Sequence, residues 1–137
     1  MDAFYGTWKV QLDKTTGVAE IGKLFGWNEE KMAAVTTMEY TLLIEKTADG
    51  SRCVVDYGVV RKEFSFKLGE PFDYTGVDGT NAKCTVVVDG GQLLENFKAA
   101  EGVTWKTVRE INGANMKATT TFGGNEDVKC VQELIKV

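Results

Sequence analysis

The sequence predicts an all-β protein, a barrel or a sandwich, that one short helical pair interrupts near its start. Turn signals recur at short intervals, and they lie at residues 48–51, 77–80, 88–91, 111–114 and 122–125. Asp-Gly and Asn-Gly between β-rich runs are strong hairpin signals, and many short strands joined in this way favour a barrel or a sandwich. The 137 residues fit a single domain, residues 1–137.

The segments between the turns alternate apolar and polar side chains, as antiparallel strands with one wet face do. In "EFSFKL", for example, Phe64 and Phe66 lie opposite Glu63 and Ser65. From Phe64 to the end of the sequence almost every segment fits a strand. The only proline, Pro71, falls at a strand edge or turn, where its missing N–H does least harm.

Residues 14–36 break the strand pattern and predict a helical pair after the first strand. Apolar residues recur there at helical spacing, namely Val18, Ile21, Leu24 and Phe25. Gly26 ends this run, and Asn28 can cap a second short helix that carries Met32 and Val35.

Composition argues against several classes of function. Sixteen Lys and Arg against twenty Asp and Glu, without a basic block, disfavour a nucleic-acid partner. Histidine is absent and the three cysteines lack the CxxC spacing of a zinc site, so we expect free thiols, no metal and no cofactor. No apolar run is long enough for a membrane span, and "MDAFYGTWKV" has no charged leader, so we expect an unsecreted, cytoplasmic protein.

One arginine has an unexpected position in "TWKTVREI", residues 104–111. Alternation with period two puts Arg109 on one strand face with Trp105, Thr107 and Ile111, while the other face carries two charged residues. Arg109 then points inward, where an unpaired charge costs several kcal/mol unless something compensates it. A bulge, or a stem that runs along apolar neighbours to solvent, is the alternative interpretation.

Four ordered segments resemble the intracellular lipid-binding protein family. "AFYGTWKV" resembles the family's N-terminal Phe-x-Gly-x-Trp-Lys signature, "EFSFKLGEPFDYTGVDG" resembles its central segment, and "TVVVDGGQL" and "TVREING" also match. The resemblance implies a ten-stranded, gapped antiparallel β-barrel (β-clam), capped by the helical pair and enclosing a cavity for one amphiphile. In fatty-acid-binding members the arginine of the Val-Arg-Glu segment meets the ligand carboxylate, and Arg109 occupies that position.

The resemblance and the strand phases together give the candidate site. The candidate ligand-binding residues are Arg109, Gln132, Leu134, Tyr40, Val55, Tyr57, Val60, Asp78, Phe97, Trp105, Thr107 and Met116. The candidate portal residues are Val18, Ile21, Leu24, Met32 and Val35. Some of the apolar residues are expected to serve packing only, and a turn-forming Asp before Gly79 explains Asp78 equally well.

The last strand departs from the family pattern. Many members carry Arg-x-Tyr there, but "KCVQELIK" has Gln132 and Leu134 at those positions, so half of the usual carboxylate clamp is missing. A glutamine at position 132 resembles the retinol-binding branch, although that branch usually lacks an arginine at the position of Arg109. A buried amide that is satisfied by backbone and water is an equally good interpretation of Gln132. We therefore predict a carrier of a long-chain fatty acid, with a retinoid (retinol or retinoic acid) or a bile-salt-like ligand as the alternative.

Other classes of protein fit the sequence less well. A lipocalin-like secreted carrier shares Gly-x-Trp on its first strand, but the early helical pair and the odd cysteine count argue against it. An enzyme is the least favoured class, because the sequence lacks histidine and lacks carboxylates clustered at ligand spacing. Lys14, Lys23 and Lys31 lie in or beside the helical pair, where transient contact with membranes is the functional interpretation and a solvated face the simpler one. We expect a non-enzymatic monomer.

Overall fold

The computed structural model describes residues 1–77 and 79–137. The strands are β1 (Gly6–Thr16), β2 (Thr41–Lys46), β3 (Ser51–Asp56), β4 (Arg61–Phe66), β5 (Phe72–Thr75), β6 (Asn81–Asp89), β7 (Gln92–Lys98), β8 (Thr104–Asn112), β9 (Asn115–Phe122) and β10 (Asn125–Lys136). Two helices, α1 (Val18–Phe25) and α2 (Glu29–Thr36), separate β1 from β2, and a 3-10 turn, Asp2–Phe4, precedes β1. Within the described residues, no helix has the length and apolar character that crossing a membrane requires.

The ten strands form one antiparallel sheet that curls into a nearly closed barrel. Their order is β4-β3-β2-β1-β10-β9-β8-β7-β6-β5, so β1 pairs with both β2 and β10. β4 and β5 follow one another in the chain but stand at the two ends of this order without pairing. The predicted ten-stranded barrel with a gap and a helical cap is confirmed.

Aromatic side chains bridge the gap between β4 and β5. Phe64 stacks on Tyr74 with ring centroids 5.0 Å apart, and Phe66 stacks on Phe72 at 5.6 Å. Contacts of this kind contribute roughly 0.5–1.5 kcal/mol beyond the area they bury. Side-chain packing therefore takes over where the ladder of backbone hydrogen bonds is interrupted.

The helical pair starts later than predicted. The predicted range of about 14–36 begins too early, because β1 continues to Thr16, which pairs with Val131 of β10. Gly17 then turns the chain at φ +80°, and a Cβ at this position would lie 1.9 Å from the Lys129 carbonyl oxygen. Only glycine tolerates both conditions, so Gly17 sets the start of α1.

The boundary between the two helices lies where the sequence predicted it. Gly26 ends α1 with φ +76°, and its N–H donates to the carbonyl oxygens of Gly22 and Lys23. Asn28 caps α2, because its Oδ1 accepts a hydrogen bond of 2.8 Å from the Lys31 N–H. Local sequence therefore determines both the end of α1 and the start of α2.

The two ends of the barrel differ in packing. Because successive strands run in opposite directions, the helical pair shares one end, the lid end, with the turns at 57–60 and 99–103. A dense core fills the opposite, closed end, and its large side chains include Trp8, Leu93, Met116 and Leu134, each at most 1% exposed. Trp8 also donates from Nε1 to the Phe4 carbonyl oxygen at 3.0 Å. The described residues enclose a cavity between this core and the lid.

Candidate ligand-binding cavity

A cavity of about 250 Å³ lies inside the barrel, between the closed end and α1. This volume is slightly below the usual range for small-molecule sites, roughly 300–1,000 Å³, so it suits at most one ligand. Most of its walls are apolar or aromatic. Representative wall residues are Val18 and Ile21 of α1, Leu42 and Val55 of the first half of the sheet, and Phe72 and Val86 of the second half.

A run of aromatic rings connects the lid to the gap. The Phe25 ring of α1 meets Trp105 edge-on at 5.0 Å, and Trp105 stacks on Phe97 at 5.2 Å. Phe97 in turn contacts Tyr74 at 4.9 Å, next to the rings that bridge β4 and β5. Together these rings offer a continuous apolar surface of the kind on which an acyl chain is buried.

Arg109 points into the cavity, as its strand phase predicted, and its partner is a carboxylate of the protein. The Arg109 side chain is 12% exposed, and its Nε donates to Oε2 of Glu95 at 2.7 Å. The register pairs Leu93 with Arg109 and Glu95 with Thr107, so Glu95 lies diagonally across from Arg109 on the same face. Glu95 therefore supplies the compensating charge that an inward arginine requires.

The guanidinium also rests on the core at the closed end. Its Nη1 donates to the Met116 sulfur at 3.6 Å, and its Nη2 lies 3.5 Å from Oε1 of Glu95. A guanidinium has five N–H donors, and the three contacts seen among the described residues use three of them. The remaining Nη donors are available to a ligand oxygen or to water.

Two neutral hydrogen-bonded pairs accompany this ion pair in the cavity wall. The Tyr40 hydroxyl donates to Oε1 of Gln132 at 2.6 Å, and the hydroxyl oxygens of Thr107 and Thr120 lie 2.8 Å apart. Among the described residues, every buried side-chain nitrogen or oxygen has a partner. Each of these buried polar atoms in the cavity wall therefore has at least one protein partner.

Burial keeps the Tyr40 hydroxyl and the Cys53 and Cys84 thiols of the cavity neutral. It raises the pKa of Cys53 to about 12, with a smaller contribution from the Glu95 charge. It also raises the pKa values of Tyr40 and Cys84 well above their ordinary range, and the nearby Arg109 charge opposes this only in part. For Arg109 burial disfavours the charge, but the charge and hydrogen bond of Glu95 outweigh it and raise the guanidinium pKa.

Lys62 is a third charged residue in the cavity wall. It lies near the start of β4, at the lid end, and is half-buried. The charges of the wall are therefore a paired arginine and glutamate in the interior and a lysine near the mouth. Residues 1–77 and 79–137 contain no group of three or more His, Cys, Asp or Glu that could hold a metal ion.

Most of the residues predicted for the site lie on the cavity wall. The predicted ligand-binding residues found there are Arg109, Gln132, Tyr40, Val55, Tyr57, Phe97, Trp105 and Thr107. The predicted portal residues found there are Val18, Ile21 and Val35. Their roles toward a ligand stay predictions.

The other predicted residues lie elsewhere. Leu134 and Met116 have the inward phase but are fully buried at the closed end, where packing leaves no space for a ligand. Val60 lies in the turn between β3 and β4, and its carbonyl accepts the Tyr57 N–H at 2.9 Å. Asp78 lies outside the described residues.

Two predicted portal residues serve the packing of the helical pair. Met32 of α2 packs on Gly22 of α1, because a Cβ added to Gly22 would lie 2.9 Å from the Met32 sulfur. Leu24 is half-buried and packs against the hydrophobic core of the protein. Neither belongs to the cavity wall, because each side chain packs against a protein neighbour and does not face the opening.

Glu95, Lys62 and Phe25 also line the cavity and were not predicted from the sequence. Glu95 alternates with Leu93 and Phe97 in "QLLENFK", which is the same signal that singled out Arg109. Lys62 shares its strand phase with Phe64 in the same way. The sequence thus showed charged residues that alternate in phase with apolar ones on two further strands. The pairing of Glu95 with Arg109, however, could be predicted only from the register of the sheet.

Comparisons with known proteins agree with this architecture. No family model matches the chain. A fatty acid-binding protein of Clonorchis sinensis is 31% identical over 133 residues, which cover 96% of this chain and 98% of that protein. The intestinal fatty acid-binding protein of Bos taurus is 32% identical over 127 residues, covering 90% and 93%. The crystal structure of Echinococcus granulosus fatty-acid-binding protein 1 superposes with a TM-score of 0.91 at 25% identity, covering 100% of this chain and 99% of that one.

Proposed function

The chain belongs to the fatty-acid-binding protein family, whose members are carriers and not enzymes, and from this premise we propose that it carries one long-chain fatty acid. The acyl chain lies against the aromatic and aliphatic walls, and the carboxyl group lies near Arg109. A single domain, residues 1–137, provides the whole site. Burial of apolar surface supplies most of the affinity, at roughly 25 cal/mol per Å².

The observation that carries this proposal is a buried arginine with free donors inside an apolar cavity. Arg109 is 12% exposed, and Glu95 engages only one edge of its guanidinium. A guanidinium offers planar, charge-assisted donors that match a carboxyl group. Tyr40 and Gln132 can join the contact directly or through water, since both belong to the same wall.

A retinoid or a bile-salt-like molecule is the second candidate ligand. The bonded pair of Tyr40 and Gln132 favours it, because a hydroxyl and an amide recognise a ligand hydroxyl without any net charge. Glu95 favours it further, since it already neutralises Arg109. The two candidates differ in which wall residues carry the specificity.

We propose a cytoplasmic monomer that contacts membranes only transiently. Lys23 of α1 and Lys31 of α2 are exposed at the lid end, which is the end an entering lipid must cross. The glutamates of α2, Glu29 and Glu30, share that surface, so attraction to an anionic membrane is weak.

Titration calorimetry on the delipidated protein tests the proposal, with oleate and retinol as ligands. We expect oleate to bind at a micromolar Kd or tighter, about −8 kcal/mol or better. Arg109→Ala should weaken oleate by about 1.5–3 kcal/mol and leave oleyl alcohol almost unchanged. Arg52→Ala, on the outer surface, is the matched control. Strong retinol binding with weak oleate binding would overturn the fatty-acid assignment in favour of the retinoid.

A further inference from the structure

We propose that ligand uptake is coupled to protonation: a fatty acid enters the cavity with one proton, which its carboxyl group shares with Glu95 beside Arg109. Glu95 is then a specificity-determining residue, and the bound ligand is one member of an acid–carboxylate pair. This inference rests on the proposed function, since it concerns the carboxyl group of the same ligand.

The protein's own ion pair in the cavity carries no net charge. The Arg109 and Glu95 side chains are 12% and 18% exposed and are joined at 2.7 Å, so their charges cancel inside the barrel. Three buried groups whose pKa values the Glu95 charge influences are neutral, namely Tyr40, Cys53 and Cys84. An ionised fatty acid would therefore bring an unbalanced negative charge into a poorly solvated site.

The unused donors of Arg109 determine the position that the ligand carboxyl group must take. The free donors of Arg109 are on its Nη atoms, and Glu95 occupies the adjacent edge through Nε and Nη2. A ligand carboxyl group on those donors comes to lie beside the Glu95 carboxylate. Two carboxylates that share one site cannot both stay ionised in a low dielectric, so one of them binds a proton strongly.

No other described group in the cavity wall removes the repulsion between the ligand carboxylate and Glu95. The hydroxyls of Tyr40, Thr107 and Thr120 are neutral and already bonded. Lys62 is cationic but half-buried near the mouth, where water screens its charge. Tyr57 lies at the same end and contacts the Tyr40 ring at 5.3 Å. A proton from solution is therefore the means of neutralisation.

The proton balance is simple. The ligand carboxylate, the Glu95 carboxylate and one solvent proton form a complex in which an O–H of one carboxyl group donates to an oxygen of the other. The proton comes from an acid of the buffer, whose bond to that proton breaks as the carboxyl O–H forms, and the conjugate base of the buffer stays in solution. Because one proton is taken up, affinity should rise about tenfold for each unit by which the pH falls.

The test counts protons by calorimetry in two buffers of different ionisation enthalpy. The ligand is laurate, which stays monomeric, at about pH 8, where isolated carboxyl groups are ionised. Dodecanol serves as the neutral control ligand. Glu95→Gln removes the acceptor, and Glu110→Gln is the matched control because Glu110 lies on the exposed outer face of β8, bonded to Gln92.

We expect uptake of about one proton with laurate and none with dodecanol in the wild type. Glu95→Gln should abolish the uptake and bind laurate with an affinity that no longer depends on pH, whereas Glu110→Gln should behave as the wild type. Laurate binding without proton uptake in the wild type overturns the inference and leaves the proposed function standing, whether or not Glu95→Gln folds. Uptake that persists in folded Glu95→Gln also overturns it. Failure of both laurate and oleate to bind overturns the proposed function itself.

Discussion

Two arginine–glutamate clusters of this protein share their chemistry and differ in their surroundings. On the outer face of β2, β3 and β4, Arg52 contacts Glu45 at 2.5 Å and Glu63 at 2.8 Å, with the Glu63 side chain 48% exposed. Inside the barrel, Arg109 contacts Glu95 at 2.7 Å, and both are at most 18% exposed. Bond lengths therefore do not distinguish the two clusters.

The difference shows that solvation decides what an ion pair does. Water can replace each partner of Arg52, so this cluster adds little to stability. Neither Arg109 nor Glu95 can be removed without leaving a charge that water solvates poorly. The interior pair is therefore expensive to break, and it determines which charge a ligand can bring into the cavity.

The largest expected effect follows from removing one interior partner. Glu95→Ala should lower the free energy of unfolding by about 3–5 kcal/mol, because Arg109 becomes an uncompensated buried charge. Urea unfolding followed by tryptophan fluorescence measures this loss. Glu63→Ala on the surface is the matched control and should leave the midpoint nearly unchanged, and equal losses in the two variants would contradict the comparison.

Removing both interior charges should reverse that loss. Glu95→Leu combined with Arg109→Met replaces the pair by apolar side chains, and such replacements are neutral or stabilising by about 1–4 kcal/mol. The double variant should bind oleate weakly and retain oleyl alcohol, which calorimetry measures. A double variant that is less stable than Glu95→Ala would mean that the pair has another structural role.

A smaller effect is expected from the neutral pair beside it. Tyr40→Phe deletes the hydroxyl that donates to Gln132 at 2.6 Å and should cost about 1 kcal/mol in unfolding experiments. Tyr5→Phe is a matched control, since it deletes a hydroxyl bonded to Ser51 that is not part of the cavity wall. Both should lose stability, but only Tyr40→Phe should change oleate affinity, and the same change in both variants would exclude Tyr40 from the site.

The smallest effect is expected at Arg52. Arg52→Met removes the ion pairs of Arg52 with Glu45 and Glu63. Any change in the unfolding midpoint should disappear when the ionic strength is raised, because salt screens exposed charges. Parallel denaturation curves at low and high salt test this. A loss that salt does not diminish would show that Arg52 contributes through packing.

Local sequence predicted the boundary between the two helices and the inward direction of Arg109 for clear physical reasons. Gly26 and Asn28 act through their own backbone and side chain, and the alternation around Arg109 needs only neighbouring residues. The partner of Arg109 was not predicted, since Glu95 meets it only through the register of β7 and β8. For Leu134 the alternation predicted the inward direction correctly. It could not predict that Leu134 lies in the packed core at the closed end, away from the cavity.

A crystal structure of the oleate complex would show directly whether Arg109 binds the ligand carboxyl group. We expect the acyl chain along the wall of Phe97 and Trp105, with a carboxyl oxygen within hydrogen-bond distance of Arg109 or joined to it by one water. Glu95 should remain beside Arg109. A carboxyl group held by Lys62 near the mouth, with the tail of the chain at Arg109, would contradict it.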